Sequence, residues 1–166
     1  MNLRNSIWSY NEFQIFFKIN NSDELMNRSH VKLYIHFIFA TKDRVNLLDC
    51  KHTREFNRYF NKIIRERECC LFSISIQPDH IHLLVGLNET YSISEFINEI
   101  KSISVKYIME KEWCTEPFEW QEGYGAFSYS QSQIKKMNDF LYRQQEYHES
   151  VSSEKEFQEF RNRFRT

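Results

Sequence analysis

An α+β domain built on an antiparallel sheet is the fold class this sequence predicts, and three observations predict it. Some short stretches alternate apolar with polar residues, others repeat apolar residues at helical spacing, and the two kinds follow one another as strand, helix, strand, strand, helix, strand, then helices. The 166 residues, 41% of them hydrophobic and 16% aromatic, suit one domain with a packed core. With 15 Phe against 3 Gly and 2 Pro, a loop-dominated or disordered chain is excluded.

The first 25 residues stand apart. They mix Trp8, Tyr10, Phe13, Phe16 and Phe17 with polar side chains, and Asn20-Asn21-Ser22-Asp23 reads as a linker. Residues 1–25 are therefore expected to form an N-terminal extension, a helix packed on the domain being the other reading. A regular pattern begins at Met26, so the main domain is placed at 26–150. Val31 to Phe39 is rich in β-favouring residues and reads as a buried strand. Over 53–67, Phe56, Tyr59, Phe60, Ile63 and Ile64 fall on one helical stripe. Phe72, Ile74 and Ile76 alternate with Ser73, Ser75 and Gln77, a half-buried strand. Pro78-Asp79 interrupts it, and His80 to Leu87 forms a second strand, antiparallel because the link is short.

Ser92 and Glu95 have the spacing of a capping box, in which each side chain satisfies a free amide at a helix start. The helix they open carries Phe96, Ile97, Ile100, Ser104, Tyr107 and Ile108 along one side. An aromatic, turn-rich stretch over 113–129 ends in a short strand near Ala126 to Tyr129. Ser130 and Gln133 offer a second capping box before a helix carrying Ile134, Met137 and Leu141. Phe157, Phe160 and Phe164 share one side of a last helix, within 151–166. This order is similar to the ferredoxin-like arrangement, with the helices mainly on one face of the sheet.

The formal net charge is −1, from 22 Lys and Arg against 23 Asp and Glu, so any hold on nucleic acid must come from a local patch. Cys50, Cys69, Cys70 and Cys114 form no CxxC pair and read as reduced thiols rather than a zinc or disulfide framework. The apolar runs are too short to span a bilayer and the start does not resemble a signal peptide, so no membrane partner and a cytoplasmic location are expected.

Two residues apart on one strand, His80 and His82 project from the same face and can reach one divalent ion, while Ile81 and Leu83 point into the core. The pair alone does not define a metal site, because a further ligand must come from elsewhere, and two ordinary histidines are the plainer reading. Asp79 leaves the strand on the other face, and His30, His36, His52 and His148 show no metal-ligand spacing with the pair.

The surrounding residues decide between these readings. Gln77-Pro78-Asp79-His80-Ile81-His82-Leu83-Leu84-Val85 resembles the signature of the HUH single-tyrosine transposases of the insertion sequence 200/605 group, including the REP-associated kind. Further likenesses follow in order along the chain. Val31-Lys32-Leu33 with Phe39-Ala40-Thr41-Lys42-Asp43-Arg44 is similar to the family's first strand and basic turn, and Lys101-Ser102-Ile103-Ser104 to its lysine-serine segment. Trp120-Gln121-Glu122-Gly123-Tyr124-Gly125-Ala126-Phe127-Ser128 is close to its WQ-x-GYGAFS stretch, and Gln144 with His148 falls in its YI-x-x-Q-x-x-HH helix.

The resemblance implies an HUH domain acting in DNA transposition, with Mg²⁺ or Mn²⁺ held by His80, His82 and Gln144. It also implies a nucleophilic tyrosine four residues before that glutamine, on the same helix face, to form a 5′-phosphotyrosine. That position is Phe140, which has no oxygen with which to form the ester. Tyr142 lies on the wrong side of a continuous helix, and Tyr147 lies two turns on, about 10 Å from position 140. The Tyr147 position, where the family often has the first of two histidines, is a second departure. Cleavage is therefore not expected from position 140, and a non-catalytic DNA-binding regulator is the alternative to a transposase.

The DNA that the resemblance implies is a single strand folded into hairpins, bound by a homodimer, with nucleoid association in a bacterial cell. The candidate contacts are Lys42, Arg44, Lys101, Lys106, Lys135, Lys136 and Arg143 for phosphates, and Trp120 and Tyr124 for stacking on bases. For any one of these, a solvated charge or a core aromatic is the plainer reading.

Overall fold

The computed structural model describes residues 31–114 and 117–164, so the expected extension at 1–25 lies outside the described residues. Four strands form one sheet: β1 (Leu33–Ala40), β2 (Cys70–Ile76), β3 (His80–Leu87) and β4 (Gly125–Tyr129), in the order β2-β3-β1-β4. Every neighbouring pair is antiparallel. Helix α1 (Thr53–Arg65) crosses from β1 to β2, and α2 (Ile93–Glu110) crosses from β3 to β4. This is the ferredoxin-like succession the pattern predicted.

The alternation of side chains explains the layers. Phe37, Phe39, Ile81, Leu83 and Val85 point to one face, where Phe56, Phe60, Ile64, Phe96, Ile97 and Ile100 of α1 and α2 close a core with all of them almost wholly buried. The capping box of α2 is formed: the Ser92 hydroxyl accepts from the Glu95 amide at 3.2 Å and the Glu95 carboxylate accepts from the Ser92 amide at 3.1 Å.

The opposite face is covered too, a layer the pattern of the strands did not announce because His36, His80 and His82 interrupt its apolar run. Tyr34, Ile38 and Leu84 meet Ile134, Met137 and Leu141 of α3 (Ile134–Tyr142) and Phe160 of the last helix. The Ser130 amide donates to Gln133 Oε1 at 2.9 Å, and a short 3-10 turn over Gln131–Gln133 leads into α3. Contrary to the single helix expected here, the chain breaks at Arg143 (φ −96°, ψ 11°) and resumes as α4 (Gln144–His148). The last helix, α5 (Ser153–Arg163), starts from Ser152, whose side chain accepts from the Lys155 amide.

Where β4 pairs with β1, Gly125 sits opposite Ile38. A Cβ there would lie 2.9 Å from both the Phe127 and the Phe157 ring, so only glycine lets α5 approach the strand so closely. No described helix is long and apolar enough to cross a membrane.

Candidate metal centre

β3 delivers His80 and His82 to the second face, opposite Ala40 and Ile38 of β1, with both rings buried. The loop and helix that follow α3 bring two more groups to them. His148, at the end of α4, and Glu156, in the first turn of α5, complete a set whose ligating atoms all lie within 4.8 Å of one another. Glu156 Oε2 stands 3.6 Å from His80 Nε2, 3.3 Å from His82 Nε2 and 3.2 Å from His148 Nε2. All three Nε2 atoms are buried and lack a hydrogen bond of proper geometry.

Each ring is fixed from behind. His80 Nδ1 lies 2.6 Å from Asp79 Oδ1, His148 Nδ1 lies 2.8 Å from the Val151 carbonyl, and His82 Nδ1 lies 3.0 Å from His36 Nε2. Protons held at Nδ1 of His80 and His148 leave their Nε2 lone pairs facing the centre, the usual setting of imidazole ligands. Asp79 is itself held by Ser153 Oγ at 2.6 Å, and Arg44 reaches the same pair at 3.5 Å and 2.9 Å. Asp79 thus backs His80 rather than pointing away from it.

The electrostatics suit a cation. Burial works against a charged Glu156, but the three imidazoles, His148 foremost, outweigh it and hold the carboxyl well below its ordinary range. Burial pulls His80 down, and Asp79 with Glu156 outweighs it, so this ring sits above its ordinary value. Burial pushes His82 down to about 4, which leaves a neutral imidazole free to bind. The residues present therefore fit a divalent metal ion: orphaned lone pairs, a carboxylate and fixed rings converge on one buried point.

Gln144 is buried, and it meets Glu156 of the centre through its nitrogen. Its amide N–H donates to Glu156 Oε1 at 2.6 Å, while its Oε1 is buried without a hydrogen-bond partner. Phe140 packs on the second core, its ring 5.8 Å from Phe160 and 5.4 Å from Tyr147. The break at Arg143 corrects the distance expected for Tyr147: instead of lying two turns away, it abuts Phe140, with its hydroxyl donating to Glu159 at 2.8 Å. Tyr142 is exposed, as its helix position required.

The DNA-contact candidates divide. Lys106, Lys135, Lys136 and Arg143 are exposed, and Lys42 is exposed in an ion pair with Glu119. Lys106 lies on α2 and the next three on or just after α3, so opposite faces of the sheet separate them. Arg44 is corrected to an internal role, since two consecutive left-handed residues, Asp43 and Arg44 (both φ 54°), turn it toward Asp79 and Ser153. Lys101 is buried, its ammonium donating to the carbonyls of Gln121, Glu122 and Gly123. Tyr124 is half-buried against the first core.

Trp120 is likewise corrected. It is buried against Phe39 and Phe118, and its indole N–H donates to Ser104 Oγ at 2.9 Å, so it presents no face to a base. Trp120→Phe is expected to cost about 1–3 kcal/mol of stability in a urea melt and to leave oligonucleotide affinity unchanged. A large loss of affinity at constant stability would return this residue to the binding surface.

Sequence reasoning missed Glu156 and undervalued His148. Neither shares a strand with the pair; Glu156 lies 12 residues past Gln144 and comes to the centre only because α5 folds back over the sheet. The one available signal was the i, i+4 spacing of Glu156 and Phe160, which places a carboxylate on the apolar stripe of the last helix.

The family described as Transposase IS200 like matches residues 29–144, a span that stops short of His148 and α5. A solved chain from Deinococcus radiodurans R1, assigned as a transposase, is similar at 22% identity and a TM-score of 0.56, over 73% of this chain and 98% of that one. A REP-associated tyrosine transposase bound to a REP hairpin is similar at 18% identity and a TM-score of 0.54, over 78% and 76%. At these identities the likeness establishes the fold. No curated protein matches the chain.

Proposed function

This chain belongs to the family of IS200-like transposases, and from that premise we propose that it binds hairpin-forming single-stranded DNA at transposon ends without forming a tyrosyl ester from position 140. The observation that carries this reading is the buried convergence of the His80 and His82 Nε2 atoms on one point, while position 140 on the same face of the sheet carries a ring with no oxygen. The solved relative held by a REP hairpin supports the substrate class.

In this reading His80 and His82 hold a divalent ion, with Gln144 beside them. When bound, such an ion withdraws charge from a phosphate oxygen. The chain's own groups prepare the place: Asp79 and the Val151 carbonyl fix two rings, and His36 backs the third. Phe140 keeps an aromatic ring in the position of the nucleophile but offers nothing to attack with. Lys135, Lys136 and Arg143, exposed on the same side of the sheet as the centre, are the cations placed to track a backbone toward it. A homodimer and a cytoplasmic location belong to the same proposal, on the strength of the resemblance.

The test is a binding titration with a single-stranded hairpin, an unstructured strand and a duplex across a range of salt. The hairpin is expected to bind best, with affinity falling steeply as salt rises. Lys135→Ala combined with Lys136→Ala and Arg143→Ala should flatten the salt slope by about 0.7–0.9 for each phosphate contact removed. Absence of binding to every structured strand at low salt sinks the reading.

A further inference from the structure

We propose that His148 and Glu156 are metal ligands alongside His80 and His82, so that this chain binds a transition ion of the Zn²⁺ or Co²⁺ kind through three imidazoles and one carboxylate. The inference rests on the reading above, that His80 and His82 hold an ion, and it concerns what completes the set.

Geometry is the first argument. In a tetrahedral site with metal–ligand bonds of about 2.0–2.1 Å, neighbouring ligand atoms stand roughly 3.3–3.4 Å apart. Glu156 Oε2 lies 3.6, 3.3 and 3.2 Å from the three Nε2 atoms. These three contacts are close to the edges of a tetrahedron, and the whole set of ligating atoms lies within 4.8 Å, near enough for one ion to draw them together. Unmet bonding capacity is the second argument. Three buried Nε2 atoms have no hydrogen-bond partner, and each ring is oriented by a second partner at Nδ1. His148 has the same two-sided arrangement as His80, which an incidental neighbour does not need.

Ligand chemistry sets the ion. Mg²⁺ requires near-octahedral oxygen coordination and retains several waters, whereas a buried set of three imidazoles and one carboxylate suits borderline ions that accept four ligands. Gln144 then acts one bond away from the ion, its amide N–H fixing Glu156 Oε1 so that Oε2 points inward. Ions of this kind also expand from four to five ligands, so a phosphate oxygen can still approach.

The full chain, stripped of metal, is titrated with Co²⁺, Zn²⁺, Mn²⁺ and Mg²⁺, following bound metal by equilibrium dialysis and the Co²⁺ visible spectrum, which is intense when four-coordinate and weak when six-coordinate. One Co²⁺ or Zn²⁺ per chain is expected, with the intense spectrum and no displacement by Mg²⁺. Glu156→Gln and His148→Ala should each weaken Zn²⁺ by more than about a hundredfold and lose that spectrum, while Gln144→Ala should cost about tenfold to a hundredfold. His148→Ala leaves the buried apolar residues in place, and circular dichroism without metal checks that each variant is folded. If both ligand variants keep the affinity and spectrum that His82→Ala loses, this proposal is overturned and the two-histidine reading stands. If the wild-type chain binds none of the four ions, both fall.

Discussion

Phe140→Tyr is expected to yield a covalent protein–DNA adduct where the natural chain yields none. The assay mixes each protein with a labelled single-stranded hairpin and Mn²⁺ and scores label that survives denaturing electrophoresis. The missing group is one oxygen. The Phe140 ring is partly exposed and packs edge-on against Tyr147 and Phe160. Adding a hydroxyl supplies a nucleophile that benzene cannot imitate. Tyr147 must be controlled for, since its ring lies 5.4 Å from that of Phe140. Its phenol is an unpromising attacker: burial and the hydrogen bond to Glu159 push it up to about 12. Tyr147→Phe should therefore leave the adduct of the Phe140→Tyr chain intact. No adduct from Phe140→Tyr on a hairpin the protein binds means that more than an oxygen is lacking. An adduct from the natural chain that Tyr147→Phe removes means that the neighbouring phenol has taken over the reaction.

Phe160→Ala should produce the largest loss of stability among single changes on the second face, about 3–5 kcal/mol, with a fall in Tm on the order of 10 °C. The side chain is 3% exposed and its ring meets His36 at 5.0 Å, Phe127 at 5.6 Å and Phe140 at 5.8 Å. With Phe157 it joins α5 to the sheet, and α5 carries Glu156. Phe164→Ala, one turn on and 40% exposed, should cost no more than about 1 kcal/mol. Equal effects from the two, or a loss below about 1 kcal/mol for Phe160→Ala, show that α5 is not anchored in this core.

The fold was legible where a periodic signal was strong. Alternation marked β2, the Ser92–Glu95 spacing marked the start of α2, and a short Pro78-Asp79 link implied the hairpin with β3. The second helical layer was harder to see, because the strand residues beneath it include three histidines and α3 with α4 together cover few turns. At the centre, the two histidines of one strand could be placed together from the pleat alone. Glu156 could not: its approach depends on Gly125 giving way to Phe157 and on Phe160 filling the space beside His36, tertiary facts with no local trace. The burial of Lys101 and Trp120 was hidden for a related reason, since the contacts that fix them join α2 to the irregular stretch around Trp120 and Gln121, 16 to 20 residues away in the chain.

The contact between His36 and His82 ties occupancy to proton position. With His82 Nε2 given to an ion, its single proton must sit on Nδ1 and point at His36 Nε2, 3.0 Å away. The neutral His36 ring must then carry its own proton on Nδ1, an atom buried with no acceptor. With the ion absent, both protons can step back, His36 donating to His82 and His82 turning its N–H toward Glu156. Filling the centre therefore shifts hydrogen through two stacked rings, and leaves an unsatisfied N–H on His36, a side chain outside the ligand set.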